Sequence, residues 1–192
     1  MQVETRYITW VTPFMYANAL TTAGVKDAKV MAAAPFQVSG TAALTGIIKS
    51  FETATGRKLS EHSKAVAHRE MVETSELGQQ VGKEKAETIM YRTKKEVLER
   101  HVTDPGEIRK IVISIAGDVG VKLSPQDVER ITGLMAEIQK LNVNVDHLNK
   151  QLESIRGTLD RLTGTTSQAR GIMEQLLDFL RAIIERLSRL LS

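Results

Sequence analysis

The chain has 192 residues, 42% of them apolar and only 4% aromatic, so its core is aliphatic and suits helices packed on helices, in one domain with room for a helical extension. The formal net charge of +3 is spread evenly, with 4 basic against 3 acidic residues in 1–56, 10 against 9 in 57–104, 8 against 8 in 105–164 and 4 against 3 in 165–192, which leaves no cationic stripe to drive nucleic-acid binding. The absence of cysteine excludes disulfides, thiolate metal sites and cysteine nucleophiles, and no run of about 18 apolar residues exists to span a bilayer as a helix.

The N-terminal MQVETRYITWV lacks the basic start, apolar stretch and small-residue cleavage site of a signal peptide, so an exported form would already have lost one. RYITWV, residues 6–11, is rich in β-branched and aromatic side chains and predicts a strand carrying Ile8 and Trp10. Thr12-Pro13 then supplies a hydroxyl cap and a first-turn proline for a helix through FMYANALTTA that stops at Gly24. DAKVMAAAPF reads as a second strand ended by Pro35. Such a β-α-β unit with short links implies parallel strands. Two strands alone rarely stand in water, so a third must come from residues absent here or from another chain.

From Gly40 the pattern is helical. GTAALTGIIKSFETATG places Ala43, Leu44, Ile47, Ile48 and Phe51 on one face and ends at Gly56. Residues 59–102 predict two or three helices with breaks near Thr74 and Gly82. Asp104-Pro105-Gly106-Glu107 combines a cap, a first-turn proline and a glutamate three residues on, and Ser124-Pro125 repeats the device.

The last third carries a heptad seam: Ile131, Leu134, Ile138, Leu141, Val145, Leu148, Leu152, Ile155, Leu159 and Leu162 alternate spacings of 3 and 4. One helix over 124–162 would be about 60 Å long, too long to lie wholly on a small body. After TGTTS, the positions Met173, Leu177, Leu180, Ile184, Leu187 and Leu191 continue the pattern, and the short loop predicts an antiparallel hairpin. The second arm covers only the distal part of the first, so the proximal seam must bury itself against the N-terminal body or another subunit. The a positions Ile131, Ile138 and Val145 with the d positions Leu134, Leu141 and Leu148 favour two strands in a parallel pairing.

Chemistry is poorly supported. VSGTAALTG has the outline of a phosphate-binding turn, but Gly46 is followed by Ile47 and Ile48 where the lysine and hydroxyl of a phosphate loop belong, so Ser39, Gly40 and Thr41 are expected to cap a buried helix. His62 and His68 lie six residues apart and do not share a helical face, and His101 and His147 stand alone. Glu70, Glu73, Glu76, Glu84 and Glu87 interleave with Lys83, Lys85 and Arg92 as on exposed helix faces. No catalytic, cofactor-binding or metal-ligating residue is nominated, and no cofactor is expected. The terminal helix GIMEQLLDFLRAIIERLSRLLS is apolar over nearly half its circumference with a near-neutral polar face, which suits packing within a hairpin and, as the alternative, a lipid surface.

The stretches ITWVTPFMYANALTTAGVKDAKVMAAAPFQVSGTAALTGIIKSFETATGRKLSE, ETSELGQQVGKEKA, EIRKIV and LMAEIQKLNVNVDHLNKQL together resemble domain-of-unknown-function family 1002, a group of predicted secreted proteins of Gram-positive-type bacteria. The resemblance implies export to the envelope or outside and offers no functional residue to carry over. Family members typically have a signal peptide and a further segment ahead of the ITWVT strand, whereas this chain starts just before it.

The expectation is therefore an α+β protein, predominantly α: a β-α-β element with its packing helix over 1–56, a helical middle over 57–123 and a long antiparallel coiled-coil hairpin over 124–192. Its expected role is that of a non-catalytic secreted or cell-envelope structural or interaction protein that self-associates through sheet edges (Ile8, Trp10) and the seam Ile131, Leu134, Ile138, Leu141, Val145 and Leu148, with higher-order assemblies or filaments as the extension. The alternatives are a lipid-surface protein using Met173, Leu177, Leu180, Ile184, Leu187 and Leu191, and an envelope enzyme of unknown chemistry.

Overall fold

Thr12 sits in extended backbone and its hydroxyl accepts the Met15 amide, while Pro13 fills the first helical position, so the chain leaves its first strand directly into a helix. The computed structural model describes residues 1–141 together with 143, 145, 146 and 148. The elements run β1 (Gln2–Ile8), α1 (Pro13–Ala23), β2 (Lys29–Val38), α2 (Ala43–Thr55), α3 (Glu61–Val81), α4 (Lys83–Glu99), α5 (Pro105–Asp118) and α6 (Pro125–Gln139). The fold is predominantly helical with a small N-terminal sheet, and residues Met1–Leu152 form one compact unit.

β1 and β2 pair in parallel from Gln2 opposite Lys29 to Arg6 opposite Ala33, and then again at Ile8 opposite Val38. Between those points β1 advances by two residues (6 to 8) and β2 by five (33 to 38), so the ladder is interrupted by extra β2 residues around Pro35. A proline has no amide for a ladder, and such an interruption is where it is tolerated. The second strand thus continues through Pro35 instead of ending there. The first begins at Gln2, earlier than RYITWV suggests, because the polar residues Gln2, Glu4 and Arg6 alternate outward against half-buried Val3 and Thr5. Beyond Ile8 the chain curves away, and the Trp10 and Val11 amides both donate to the Ser39 carbonyl.

The turn from β2 to α2 is fixed by Gly40. Its φ is +94°, and a Cβ there would lie well inside contact distance of Ile8 Cγ2 and 2.6 Å from Tyr16 Oη. The buried Tyr16 hydroxyl donates to the Gly40 carbonyl at 2.5 Å, and burial pushes its pKa up to about 12, so it stays a donor. The expected hydroxyl cap is not what forms: α2 begins one step later, behind Ala42, with no side-chain cap, and Ser39 and Thr41 meet only each other at 3.4 Å.

Val11, Met15, Tyr16, Leu20, Leu44 and Ile48 build the core beneath the sheet with Leu59, Ala67 and Met71, so it draws on residues either side of position 56. α3 runs unbroken through Thr74, whose hydroxyl folds back on the Glu70 carbonyl, and the break falls at Gly82. α6 packs on α3, α4 and α5.

The long helix over 124–162 does not form. α6 ends at Gln139, where the Lys140 amide turns to Glu137 and Ile138 carbonyls and the Leu141 amide to Ile138. These three-residue closures tighten and stop the last turn. The sequence that follows, Leu-Asn-Val-Asn-Val, is poor in helix formers, since asparagine competes for backbone groups and valine is stiff at χ1. A heptad of apolar residues measures which positions need shelter and not whether one helix carries them. The distal seam from Leu152 to Leu162 and the hairpin arm lie outside the described residues.

Gly40→Ala should destabilise the fold by about 2–4 kcal/mol, the left-handed penalty plus overpacking, whereas Gly56→Ala, at φ +68° with open space around it, should cost only about 1–2 kcal/mol. Urea unfolding followed by circular dichroism distinguishes them, and equal losses would show that Gly40 is not a packing contact.

Candidate functional site

Among the described residues β1 and β2 form a two-stranded sheet with no third strand on either edge. One face, Val3, Thr5, Ile8, Val30 and Ala32, turns toward the helices. The other carries Glu4, Arg6, Met31 and Ala33 into solvent. Four of the five exposed large hydrophobic residues, Tyr7, Trp10, Met31 and Phe36, belong to this sheet or to the bend that follows β1, with Met31 69% and Phe36 68% accessible. Parallel strands are normally covered on both faces, so this clustering marks an unfinished surface. Beside β2 a groove of about 700 Å³ opens toward α2, lined by apolar residues including Val30, Ala32, Ile47 and Phe51.

Tyr7 has the left-handed φ of 59° and its ring lies 5.3 Å from the Arg6 guanidinium carbon, a cation–π contact that holds the arginine on the open face. Trp10 is 42% exposed, whereas Ile8 is half-buried against the core, so of these two expected edge residues the tryptophan is the accessible one.

The part of the proximal seam that α6 carries is buried in the chain's own body. Ile131, Leu134 and Ile138 are 3%, 0% and 0% exposed, which corrects their expected role as a contact surface for another subunit: they have no area left to offer. Leu148 is buried as well, with its carbonyl accepting from Tyr91 Oη at 2.5 Å, while Leu141 and Val145 are half-buried. Met173, Leu177, Leu180, Ile184, Leu187 and Leu191 lie outside the described residues.

The sequence reading missed one polar cluster. Lys94 of α4 and Glu70 of α3 are 0% and 1% exposed at the side chain and pair at 2.8 Å. Lys94 Nζ also donates to the Asn18 carbonyl and to Thr22 Oγ1, both at 3.0 Å, and Asn18 Nδ2 and Thr22 Oγ1 donate to the two Glu70 oxygens at 2.9 and 2.5 Å. Burial lowers the Lys94 pKa, and the Glu70 carboxylate opposes that shift. So sealed a cluster cannot meet a solute, and its effect is to lock α1 to α3 and α4. Glu70 therefore sits inside and not on an exposed helix face. The available signal was Asn18 and Thr22, spaced four apart in an otherwise small and apolar helix.

Glu87 departs from an exposed face too. It accepts from the Thr12 hydroxyl that caps α1, and burial raises its carboxyl above the usual range, partly offset by that bond. His62 and His101 are exposed and His68 is half-buried, and no group of three or more His, Asp or Glu side chains suited to a metal ion occurs among the described residues.

A family model matches residues 1–155. The chain belongs to the DUF1002 family, described as a protein of unknown function. It is similar to the uncharacterized protein YpuA of Bacillus subtilis (strain 168), with 42% identity over 145 residues, covering 75% of this chain and 50% of that one. This DUF1002 chain thus spans about half the length of that relative. No solved structure matches. No helix among the described residues is long and apolar enough to cross a membrane.

Lys94→Met should cost about 3–5 kcal/mol because it strands the Glu70 charge, and the pair Glu70→Leu with Lys94→Met should cost less than that single change. A double-mutant cycle in urea reads the coupling, and additive losses would contradict a working ion pair. For Glu87, whose folded pKa is raised, the native state binds its proton more tightly, so stability falls as pH rises from the ordinary glutamate range through the folded value. Glu87→Gln should flatten that fall, seen as a stability gain over the native chain that grows with pH. An unchanged pH profile would refute it.

Proposed function

We propose that this protein is a non-catalytic structural or interaction module that self-associates through its open sheet. The observation that carries the reading is the parallel β1–β2 pair, uncapped on both edges among the described residues and bordered by exposed Tyr7, Trp10, Met31 and Phe36. Unpaired strand edges present a row of amides and carbonyls that another strand satisfies, and flanking apolar side chains add the area that strand pairing alone lacks. Location outside the cytoplasm belongs to the same proposal and is supported by the family resemblance alone. The seam residues of α6 drop out of the contact surface because the core already uses them.

The lone tryptophan, Trp10, lies beside the surface in question and reports on it. Sedimentation of the full chain at micromolar concentrations should show a dimer or larger species, and Trp10 emission should shift to the blue with rising concentration as the ring leaves water. A monodisperse monomer with concentration-independent emission overturns the proposal.

A further inference from the structure

The two free edges are unequal. That of β2 contains Pro35, which has no amide, and the irregular stretch between Ala33 and Val38, both of which blunt strand addition. The β1 edge has neither over Gln2–Arg6. Gln2 donates its amide to the Ala28 carbonyl, so period-two alternation turns the backbone groups of Gln2, Glu4 and Arg6 toward β2 and those of Val3 and Thr5 outward, ready to bond. Glu4 and Arg6 project from the bare face, and among the described residues neither forms an ion pair.

We propose that β1 pairs antiparallel with β1 of a second copy of this chain, in the register that sets Thr5 opposite Thr5 and Glu4 opposite Arg6 in both directions. This rests on self-association as the function and specifies its surface and register. Opposed residues share a face in an antiparallel ladder, so only registers that keep Val3 and Thr5 together on the helix side are allowed. Three such registers centre near the middle of β1. Centring on Glu4 sets two glutamates face to face, and centring on Arg6 sets two arginines face to face. Centring on Thr5 replaces either repulsion with two attractions. Thr5 then exchanges amide and carbonyl bonds with its counterpart, and the two Glu4–Arg6 pairs fall at positions without backbone bonds, where side chains approach closest. The joined sheet has four strands, β2-β1-β1-β2, above the number that is marginal in water.

The test uses charge reversal in the full chain. Glu4→Arg alone sets arginine against Arg6, and Arg6→Glu alone sets glutamate against Glu4, so each variant should dimerise about tenfold or more weakly than the native chain. An equimolar mixture of the two variants restores both attractions and should form a one-to-one heterodimer of near-native affinity, a result that no general loss of folding produces. Circular dichroism of each variant alone checks that the fold is intact. Native dimers with both variants unaffected, or a mixture that stays monomeric, overturn the register while leaving self-association standing. A native chain that is monomeric throughout overturns both.

Discussion

The ion pair between Lys94 and Glu70 is the constraint on which the rest of this architecture depends. It lies where α1, the crossover helix of the β-α-β unit, meets α3 and α4 of the helical body, and both charges are sealed from water. A lone charge there would carry a penalty of several kcal/mol, so the lysine is tolerated only while Glu70, the Asn18 carbonyl and the Thr22 hydroxyl surround it together. That requirement is directional, unlike the aliphatic packing around it. It leaves one relative placement of α1 on the helices, and the sheet that α1 carries is oriented with it.

Once α1 is locked, the turn after β2 has one place to go. The Tyr16 hydroxyl, projecting from α1, reaches the Gly40 carbonyl, and Ile8 closes on the same glycine from β1. The stretch that outlines a phosphate loop is thus a packing joint: a left-handed glycine lets backbone approach two side chains at a distance no other residue allows. α2 is drawn under the sheet and buries Leu44 and Ile48. The inner face of the sheet packs on this core in this way, and its outer face, with Glu4 and Arg6 on β1, stays in solvent among the described residues.

The helical body shows why local order and association surfaces must be separated. Ile131, Leu134 and Ile138 repeat as a coiled-coil seam repeats, yet α3, α4 and α5 supply their shelter from within the chain. Burial there is self-contained, and four of the large apolar side chains left uncovered, Tyr7, Trp10, Met31 and Phe36, lie at the sheet and the bend that follows β1.

By itself the sequence determined the β-α-β order, the parallel sense of its strands, the capped and proline-led starts of α1, α5 and α6, and the breaks at Gly24, Gly56 and Gly82, because each depends on backbone chemistry within a few residues. Family membership was legible too, in phrases such as AAPFQVSGTAALTGI. Only the tertiary structure decided that α6 stops at Gln139, that Glu70 points inward to Lys94, that Gly40 and not a hydroxyl governs the turn, and that Ile131, Leu134 and Ile138 are spent within the core. Those outcomes hinge on which distant side chain arrives at a site, and an apolar or charged period records only that a residue needs a partner, not which part of the chain provides it.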